Sequence, residues 1–297
     1  MHIPGDSMEK GKLTRVNRWA TNLANAYYLE KDAYFEQNQF VDLLWEKDVL
    51  IYIHGFYNDF EDAGVQAAQF AKDIDFRGTV VAFTWPSLGQ GSKAAYLADE
   101  IAAAASYGAA ADFLDLMMLG GPEGKRDMTR RGRRAVLAHS MGNRVLIYGT
   151  KELTRRKRIA LSQDFGTVVF AAPDVNKGDF ERDAFDIVGN AKQAALYVGT
   201  EDLALVLSEI IHNPLVNQRA GRHATYIFGM QTIITDPVNS VFLRKGHGYF
   251  AGSDRVLMDL SLLINREFPP WKRSPPLHRD KVIWKGLNNL WSVAPAK

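Results

Sequence analysis

A serine set between small residues, directly after a short apolar run, is the clearest candidate for chemistry in this chain. The segment is AVLAHSMGN, residues 135–143, and a helical pattern follows it. A serine hydroxyl is a poor nucleophile until a base accepts its proton. A sharp strand-to-helix turn would expose the hydroxyl of Ser140, and crowding there demands small residues, here Ala138 and Gly142. The segment predicts a nucleophile elbow, and the alternative is a serine that only caps a helix.

A His-Gly-Phe segment at the end of an earlier apolar run could complete such a site. Acyl transfer needs two backbone N–H groups that bind the developing oxyanion. We expect one from Met141, directly after the serine, and the other from Phe56, with Tyr57 as the alternative donor. Gly55 permits a tight turn, and we expect His54 to organise the loop. The alternative is an ordinary strand-to-helix turn.

The general base should be a histidine that follows the serine in the chain, because this type of triad runs Ser, then Asp or Glu, then His. His247 lies between two glycines, after the last strand-like run and before a helical pattern. A loop of that kind can present an imidazole above the edge of a sheet. We therefore predict His247 as the base, over three other histidines: His212, His223 and His278.

The acid that orients the imidazole should be an aspartate at the end of a strand. Asp202 follows the run AALYVGT and is the predicted acid. Asp174, which follows the preceding run, is the alternative. We expect the aspartate that is not the acid to cap a helix instead.

The middle of the chain alternates apolar runs with longer segments of helical periodicity. The runs end near His54, Trp85, Ser140, Asp174 and Asp202. Such alternation predicts βαβ units. We therefore expect an α/β fold with a mainly parallel sheet, flanked by helices on both faces.

The two ends of the chain differ from the middle. We expect a catalytic domain over residues 47–265, preceded by a mainly helical extension, 1–46, that packs on the core. The Pro-rich tail, 266–297, should carry a short amphipathic helix packed on the domain, or in contact with a membrane surface or second copy. The apolar face of this helix would hold Ile283, Leu287, Leu290 and Trp291.

Composition excludes several classes of protein. The chain has 297 residues, a formal net charge of +2 and no cysteine, so it has neither disulfides nor thiolate metal sites. No apolar run reaches the roughly 18 residues of a spanning helix. The first residues lack the apolar core of a secretory signal, so we expect a cytoplasmic protein, although the periplasm is also compatible. The sequence does not indicate an oligomeric state.

Two basic clusters flank the serine segment. We expect both at the opposite edge of the sheet, as solvated surface or as a docking patch for an anionic partner such as a membrane or nucleic acid. Their members are Lys125, Arg126, Arg130, Arg131, Arg133 and Arg134 in the first, and Lys151, Arg155, Arg156, Lys157 and Arg158 in the second.

Several blocks together resemble the DUF900 group of bacterial α/β-hydrolases. They are VLIYIHGFYNDFEDAG, FTWPSLG, a Tyr96/Asp99 pair, AHSMGN, FAAPDV, EDLAL and GHGYF. The resemblance implies a serine esterase or lipase-like fold that needs no cofactor or metal. It places the nucleophile on Ser140, the acid on Asp202 and the base on His247. Departures are Tyr57, Asp59 and Gly248, where the group usually has small polar residues.

The expected activity is hydrolysis of a small-molecule carboxylic ester through an acyl-enzyme. Three aromatic residues near the predicted site, Tyr57, Trp85 and Tyr249, are candidates for a pocket that binds an apolar acyl or aryl group. The same triad could serve an amidase, a thioesterase or an acyltransferase. A different class is a catalytically silent scaffold that binds an anionic partner through the basic clusters.

Overall fold

Buried β-branched runs form the sheet at the centre of the computed structural model, which describes residues 34–120, 126–157, 165–235, 249–273, 277–279 and 289–293. Side chains of the inner strands are buried on both faces of the sheet, as in a sheet covered by helices on both sides. The strands are β1 (Val49–Ile53), β2 (Thr79–Phe83), β3 (Arg134–His139), β4 (Phe165–Ala171), β5 (Ala191–Val198), β6 (Met230–Ile234), β7 (Leu277–Arg279) and β8 (Leu290–Val293).

The strands join in the order β2-β1-β3-β4-β5-β6-β8-β7. Every neighbouring pair is parallel except β7 and β8. The predicted α/β class with a mainly parallel sheet is therefore confirmed. Because β1 lies beside β3, and β4 and β5 follow, the loops after these four strands meet at one edge of the sheet.

Helices cover both faces of the sheet. The helices α4, α5 and α7 pack on one core cluster, and α2 and α10 pack on the other. Their bounds are α1 (Gln37–Leu44), α2 (Phe60–Asp73), α3 (Lys93–Ala105), α4 (Tyr107–Leu114), α5 (Gly142–Lys157), α6 (Lys177–Asp183), α7 (Phe185–Gly189), α8 (Leu203–Ile211), α9 (Tyr249–Gly252) and α10 (Asp254–Arg266). A π-helical turn, Asp115–Leu119, extends α4.

The predicted C-terminal helix is wrong where the structure describes it. Leu290 and Trp291 lie in β8, which pairs with β6, so the tail belongs to the main sheet. Pairing with β6 provides hydrogen-bond partners for the backbone of β8. Because side chains alternate along a strand, apolar residues of β8 are buried on both of its faces. Four apolar positions were too few to distinguish a helix from a buried strand. Ile283 and Leu287 lie outside the described residues.

The N-terminal extension is described only from residue 34 onward, and α1 is its helical part. Trp45, directly after α1, donates its indole N–H to the Asp127 carbonyl at 3.1 Å. Arg126 pairs with Asp42 of α1 at 2.8 Å. These contacts attach α1 to the segment that leads into β3.

A helix that crosses a bilayer has to be long and apolar. In the described ranges, no single helix is long and apolar enough to cross a bilayer. The pair Lys93–Ala105 and Tyr107–Leu119, bent by 46°, meets the length and composition requirement together. The second half of this pair is largely buried in the core of the protein, through residues such as Ala111, Leu114 and Met118.

Candidate active site

Ser140 adopts a strained backbone at the junction of β3 and α5. Its φ is 54°, in the left-handed region that non-glycine residues rarely occupy. Its N–H donates to the Ala171 carbonyl at 2.9 Å, and its own carbonyl accepts from the N–H groups of Asn143 at 3.1 Å and Asp174 at 3.2 Å. Strain of this kind persists only where the surroundings impose it. The turn is therefore held from two neighbouring segments.

Small residues beside Ser140 let the turn close. A Cβ on Gly142 would lie 2.6 Å from the Ile53 carbonyl oxygen and would also overlap the carbonyl of His54. Ala138 is completely buried in β3. The amide of Asn143 donates to the carbonyls of Ala138, Ser140 and Ala171. Alanine therefore fits the position where glycine is usual, while Gly142 has no room for a side chain.

The loop after β1 contacts the serine directly. A Cβ on Gly55 would lie 2.8 Å from the Cβ of Ser140. His54 is buried, and its Nδ1 donates to the Gly55 carbonyl at 2.9 Å while its Nε2 accepts from the Trp85 N–H at 3.1 Å. Burial lowers the pKa of His54, so the ring is neutral. His54 therefore organises the loop, as predicted.

Buried polar side chains hold the other side of this loop. Asn58 donates to the carbonyls of Gly55 and Phe56, both at 3.1 Å. Its own carbonyl accepts from Gln66 at 2.5 Å, and Gln66 in turn accepts from the Tyr52 hydroxyl at 3.3 Å. These bonds tie the loop to both α2 and β1. The loop backbone is thereby preorganised next to Ser140.

Backbone N–H groups of the predicted oxyanion site lie in the loop after β1 and directly before α5. Within the described ranges, neither the N–H of Phe56 nor that of Met141 donates a hydrogen bond to a protein acceptor. Tyr57, the alternative donor, has a φ of 67° and is partly exposed. The ring of Phe56 packs edge-on against Tyr96, with centroids 5.3 Å apart. Binding of an oxyanion at these groups stays a prediction.

The alternative acid, Asp174, is fully engaged within the protein. It accepts from the Tyr96 hydroxyl at 2.5 Å and the Ser208 hydroxyl at 2.6 Å. Arg219 lies 3.2 Å from it and Arg144 lies 3.7 Å from it. Burial alone would raise the pKa of Asp174, but the two guanidiniums and the two hydroxyls outweigh it and lower the pKa to about 2. Asp174 is thus a buried anion within a structural cluster.

The predicted acid, Asp202, lies at the start of α8. Its Oδ1 accepts from the N–H groups of Ala204 at 3.0 Å and Leu205 at 3.1 Å. The helix cap was expected of the aspartate that is not the acid, yet Asp202, the predicted acid, caps α8. Which of the two aspartates is the acid stays a prediction. A carboxylate has two oxygens and about four acceptor sites, so capping through one oxygen is compatible with orienting an imidazole.

The predicted base, His247, lies outside the described residues, and so does the side chain of Tyr249. Two of the rejected histidines are engaged elsewhere: His212 lies 2.8 Å from Glu100, and His223 lies 3.0 Å from Glu209. His278 is in β7, at the edge of the sheet. The assignment of the base to His247 stays a prediction.

Trp85, a predicted pocket residue, is buried beneath the loop. Its indole N–H donates to the His54 carbonyl at 2.8 Å, and its ring stacks on that imidazole at 4.9 Å. Tyr57 is on the outer side of the loop, where its ring would contact a Cβ placed on Gly91. A substrate contact by either ring stays a prediction.

Among the described side chains, no group of three or more acidic or histidine residues could hold a metal ion.

Sequence reasoning missed the charged cluster around Asp174. Arg144 donates through Nε to the Asp174 carbonyl at 2.6 Å and also pairs with Glu100. Arg219 is buried beside them. The Tyr96/Asp99 pair was noticed only as a motif; Tyr96 binds Asp174, and Asp99 accepts from Ser87 at 2.5 Å. The sequence signal that could have indicated this cluster was Arg144, an arginine close to Ser140 in the chain.

The basic clusters lie toward the amino ends of the strands, opposite Ser140. Their described side chains all have partners. In the first cluster, Arg130 pairs with Glu46 and Arg133 with Asp48, both at 2.6 Å. The remaining pairs are Arg126–Asp42, Lys151–Asp183, Arg155–Glu152 and Arg156 with Glu152 and Asp112, while Arg131 and Arg134 donate to backbone carbonyls. An anionic partner stays a prediction, with less free charge to support it than the sequence indicated.

One known family matches most of the chain. Residues 32–265 match a family described as an alpha/beta hydrolase of unknown function, DUF900. That range runs from just before α1 to the end of α10 and includes the serine turn, the loop after β1 and both candidate acids. No curated protein was found to match the chain.

Proposed function

Since the chain belongs to the DUF900 family of α/β-hydrolases, we propose that it is a serine hydrolase that cleaves carboxylic esters. Ser140 is the nucleophile, His247 the general base and Asp202 the acid that orients it. One observation carries the proposal: Ser140 has a φ of 54° at a crowded strand-to-helix turn, and the loop after β1 packs against it. A serine that merely caps a helix has an extended backbone and needs no such strain.

The reaction would proceed in two halves. His247 accepts the proton of the Ser140 hydroxyl as its oxygen attacks the ester carbonyl. The N–H groups of Met141 and Phe56 bind the oxyanion, and the start of α5 adds a favourable dipole. The alcohol then leaves with the proton from His247, and the acyl group stays on the serine. Water, deprotonated by the same base, releases the acid and restores the enzyme.

The N–H groups of Phe56 and Met141, which have no protein acceptor in the described part of the chain, support this use of the loop. Backbone donors that are fixed before the reaction stabilise developing charge without reorganisation. His54, Trp85 and Asn58 hold the loop from behind through hydrogen bonds. Tyr57 and Tyr249 would then border the acyl group. The chemistry uses neither a metal nor a cofactor.

Asp202 is the better acid because the negative charge of the alternative, Asp174, is already balanced by arginines. Asp174 contacts two arginines and two hydroxyls, which leaves its carboxylate little capacity to stabilise an imidazolium. It also lies in a cluster whose ion pairs would have to break before it could turn toward another group. Asp202 lies at the end of the next strand along the sheet, where its Oδ1 caps α8.

A fluorophosphonate probe tests the nucleophile, because it labels only activated serines. We expect labelling of the natural protein, none of Ser140→Ala, and a large loss with His247→Ala. Ser261→Ala is the matched control, since that hydroxyl is on α10 and donates to the Ile74 carbonyl at 2.7 Å. Persistent labelling of Ser140→Ala would overturn the proposal. Hydrolysis of p-nitrophenyl esters of increasing chain length would then measure the size of the acyl pocket.

A further inference from the structure

Helix α8 has its apolar side facing solvent. Leu203, Leu207 and Ile210 recur at helical spacing and are exposed, with Leu207 at 61%. The inward side of the same helix carries one apolar residue, Leu205, together with Ser208 and Glu209, and all three are buried. Surface helices normally show the opposite arrangement, with the apolar stripe facing the core. The outward face of α8 therefore lacks the polar groups expected of a solvated surface.

Helix α3 is arranged in the same way. Leu97 and Ile101 are exposed, Ile101 at 74%, and the other exposed positions after the first residue are alanines: Ala94, Ala98, Ala104 and Ala105. Its inward side carries Tyr96 and Asp99, which are buried and hydrogen-bonded. Both α3 and α8 therefore expose apolar residues and bury polar ones. Exposed apolar patches of this kind mark sites of interaction.

Polar packing joins the two helices. The hydroxyls of Tyr96 on α3 and Ser208 on α8 are 2.9 Å apart, and both donate to Asp174. Glu100 on α3 also lies 2.8 Å from His212, directly after α8. The helices are therefore neighbours, and their outward residues can be treated as one surface. We define the apolar face as Leu97, Ile101, Leu203, Leu207 and Ile210.

The apolar face borders the candidate active site. Asp174, which both helices hold, donates its N–H to the Ser140 carbonyl at 3.2 Å. Tyr96 packs against Phe56 of the loop beside the serine. Exposed Leu88 and Tyr57 lie in the loops after β2 and β1, at the same edge of the sheet. A molecule lying on the apolar face would thus be close to Ser140.

The composition of the face favours lipid over a protein partner. Protein interfaces carry about one hydrogen bond per 100–200 Å² and depend on Trp, Tyr and Arg. The apolar face has only Leu, Ile and flanking Ala, with no charge and no hydrogen-bonding side chain.

We propose that the apolar face docks on a lipid surface and brings lipid esters to Ser140. The helices would lie in the interfacial plane, with their leucine and isoleucine side chains among the acyl chains. Docking depends on the exposed residues alone, whereas the identity of the substrate rests on the ester hydrolysis proposed above. The face is uncharged, so docking needs no anionic headgroup and should resist salt.

Flotation with phosphatidylcholine vesicles tests the docking, using the full chain with Ser140→Ala to exclude turnover. We expect the protein to float with the vesicles to the same extent at low and high salt. Adding Leu207→Asp or Ile101→Asp should lower the partition coefficient by about tenfold or more, because a charge replaces an apolar side chain that docking would bury in lipid. Met258→Asp is the matched control, since Met258 is 51% exposed on α10. It should float unchanged.

Activity measurements complete the test. With Ser140 intact, Leu207→Asp should leave hydrolysis of a soluble short-chain ester unchanged and lower hydrolysis of a vesicle-embedded ester about tenfold. Absence of flotation would overturn the proposal, and so would flotation that high salt abolishes. A dimer in solution that Leu207→Asp dissociates would show instead that a second copy covers the face. If Ser140 proves unreactive but flotation persists, the hydrolase proposal alone fails.

Discussion

The two edges of the sheet use arginine in opposite ways. At the carboxyl edge, Arg144 and Arg219 are buried around Asp174. At the amino edge, Arg133 pairs with Asp48, and their side chains are 47% and 35% exposed. Exposed pairs contribute little to stability, whereas breaking a buried pair leaves an uncompensated charge. The exposed ion pairs of the basic run are therefore less consequential than the two isolated arginines at the candidate site. Arg134 differs from the rest of the run, because it is buried and donates to backbone carbonyls.

The same comparison separates the two aspartates that follow β4 and β5. Asp174 is an anion held by the fold, and Asp202 is proposed to act in the reaction. We expect Asp202→Asn to lower kcat for ester hydrolysis by about 10³–10⁴-fold, because the imidazole loses its orienting charge. The free energy of unfolding should change little by comparison, which urea titration followed by circular dichroism will measure.

Asp174→Asn is the opposite case and serves as the matched variant. Its loss leaves Arg144 and Arg219 without their common anion, so we expect destabilisation of about 3–5 kcal/mol. The folded fraction should keep kcat within about tenfold, since the backbone N–H that contacts Ser140 remains. A collapse of kcat in Asp174→Asn but not in Asp202→Asn would reverse the assignment of the acid.

Much of this arrangement could be predicted from local sequence, and some could not. Continuous apolar runs predict the strands up to β5, and a pattern of five residues predicts the turn at Ser140. The partners of Asp174 lie 30 residues before it, at Arg144, and 34 residues after it, at Ser208. Such contacts depend on strand order, which no local pattern encodes.

The tail shows a second reason for failure. Leu290 and Trp291 fitted a helical spacing, yet pairing with β6 made them part of a strand. A short apolar segment has no fixed periodicity of its own, and the neighbour with free backbone groups decides its structure. The inverted faces of α3 and α8 were visible as periodicity, but only the structure shows which side is inward.

Removing one arginine from each edge sharpens the comparison. We expect Arg219→Met to lower the free energy of unfolding by about 3–5 kcal/mol, because Asp174 stays buried with half of its compensating charge. Arg133→Met should cost no more than about 1 kcal/mol, since its partner Asp48 remains hydrated. Urea unfolding of both variants will measure the difference. Equal losses would mean that the two edges do not differ as proposed.

Glycine contacts at the carboxyl edge provide a test independent of charge. Gly142→Ala should destabilise the protein by about 2–3 kcal/mol and lower kcat, because its Cβ would overlap the carbonyls of Ile53 and His54. Gly189→Ala is the control: nothing lies within 4 Å of a Cβ there. That variant should be neutral, or more stable by up to about 1 kcal/mol. Thermal unfolding with an esterase assay will measure both, and an undisturbed Gly142→Ala would contradict the crowding argument.

Acid titration gives the smallest of the expected effects. The folded-state pKa of Asp174 is lowered to about 2 from 3.8, so its contribution is complete above the unfolded pKa and is lost as the pH falls through the folded one. The difference corresponds to about 2 kcal/mol at neutral pH. We expect the free energy of unfolding to fall between about pH 4 and pH 2. In Asp174→Asn, the free energy of unfolding should lack this part of its fall with pH. Asp48→Asn at the amino edge should remove less of the fall, because the Asp48 carboxylate is partly hydrated. Equal slopes in the natural protein and Asp174→Asn would show that the arginine cluster does not hold the charge.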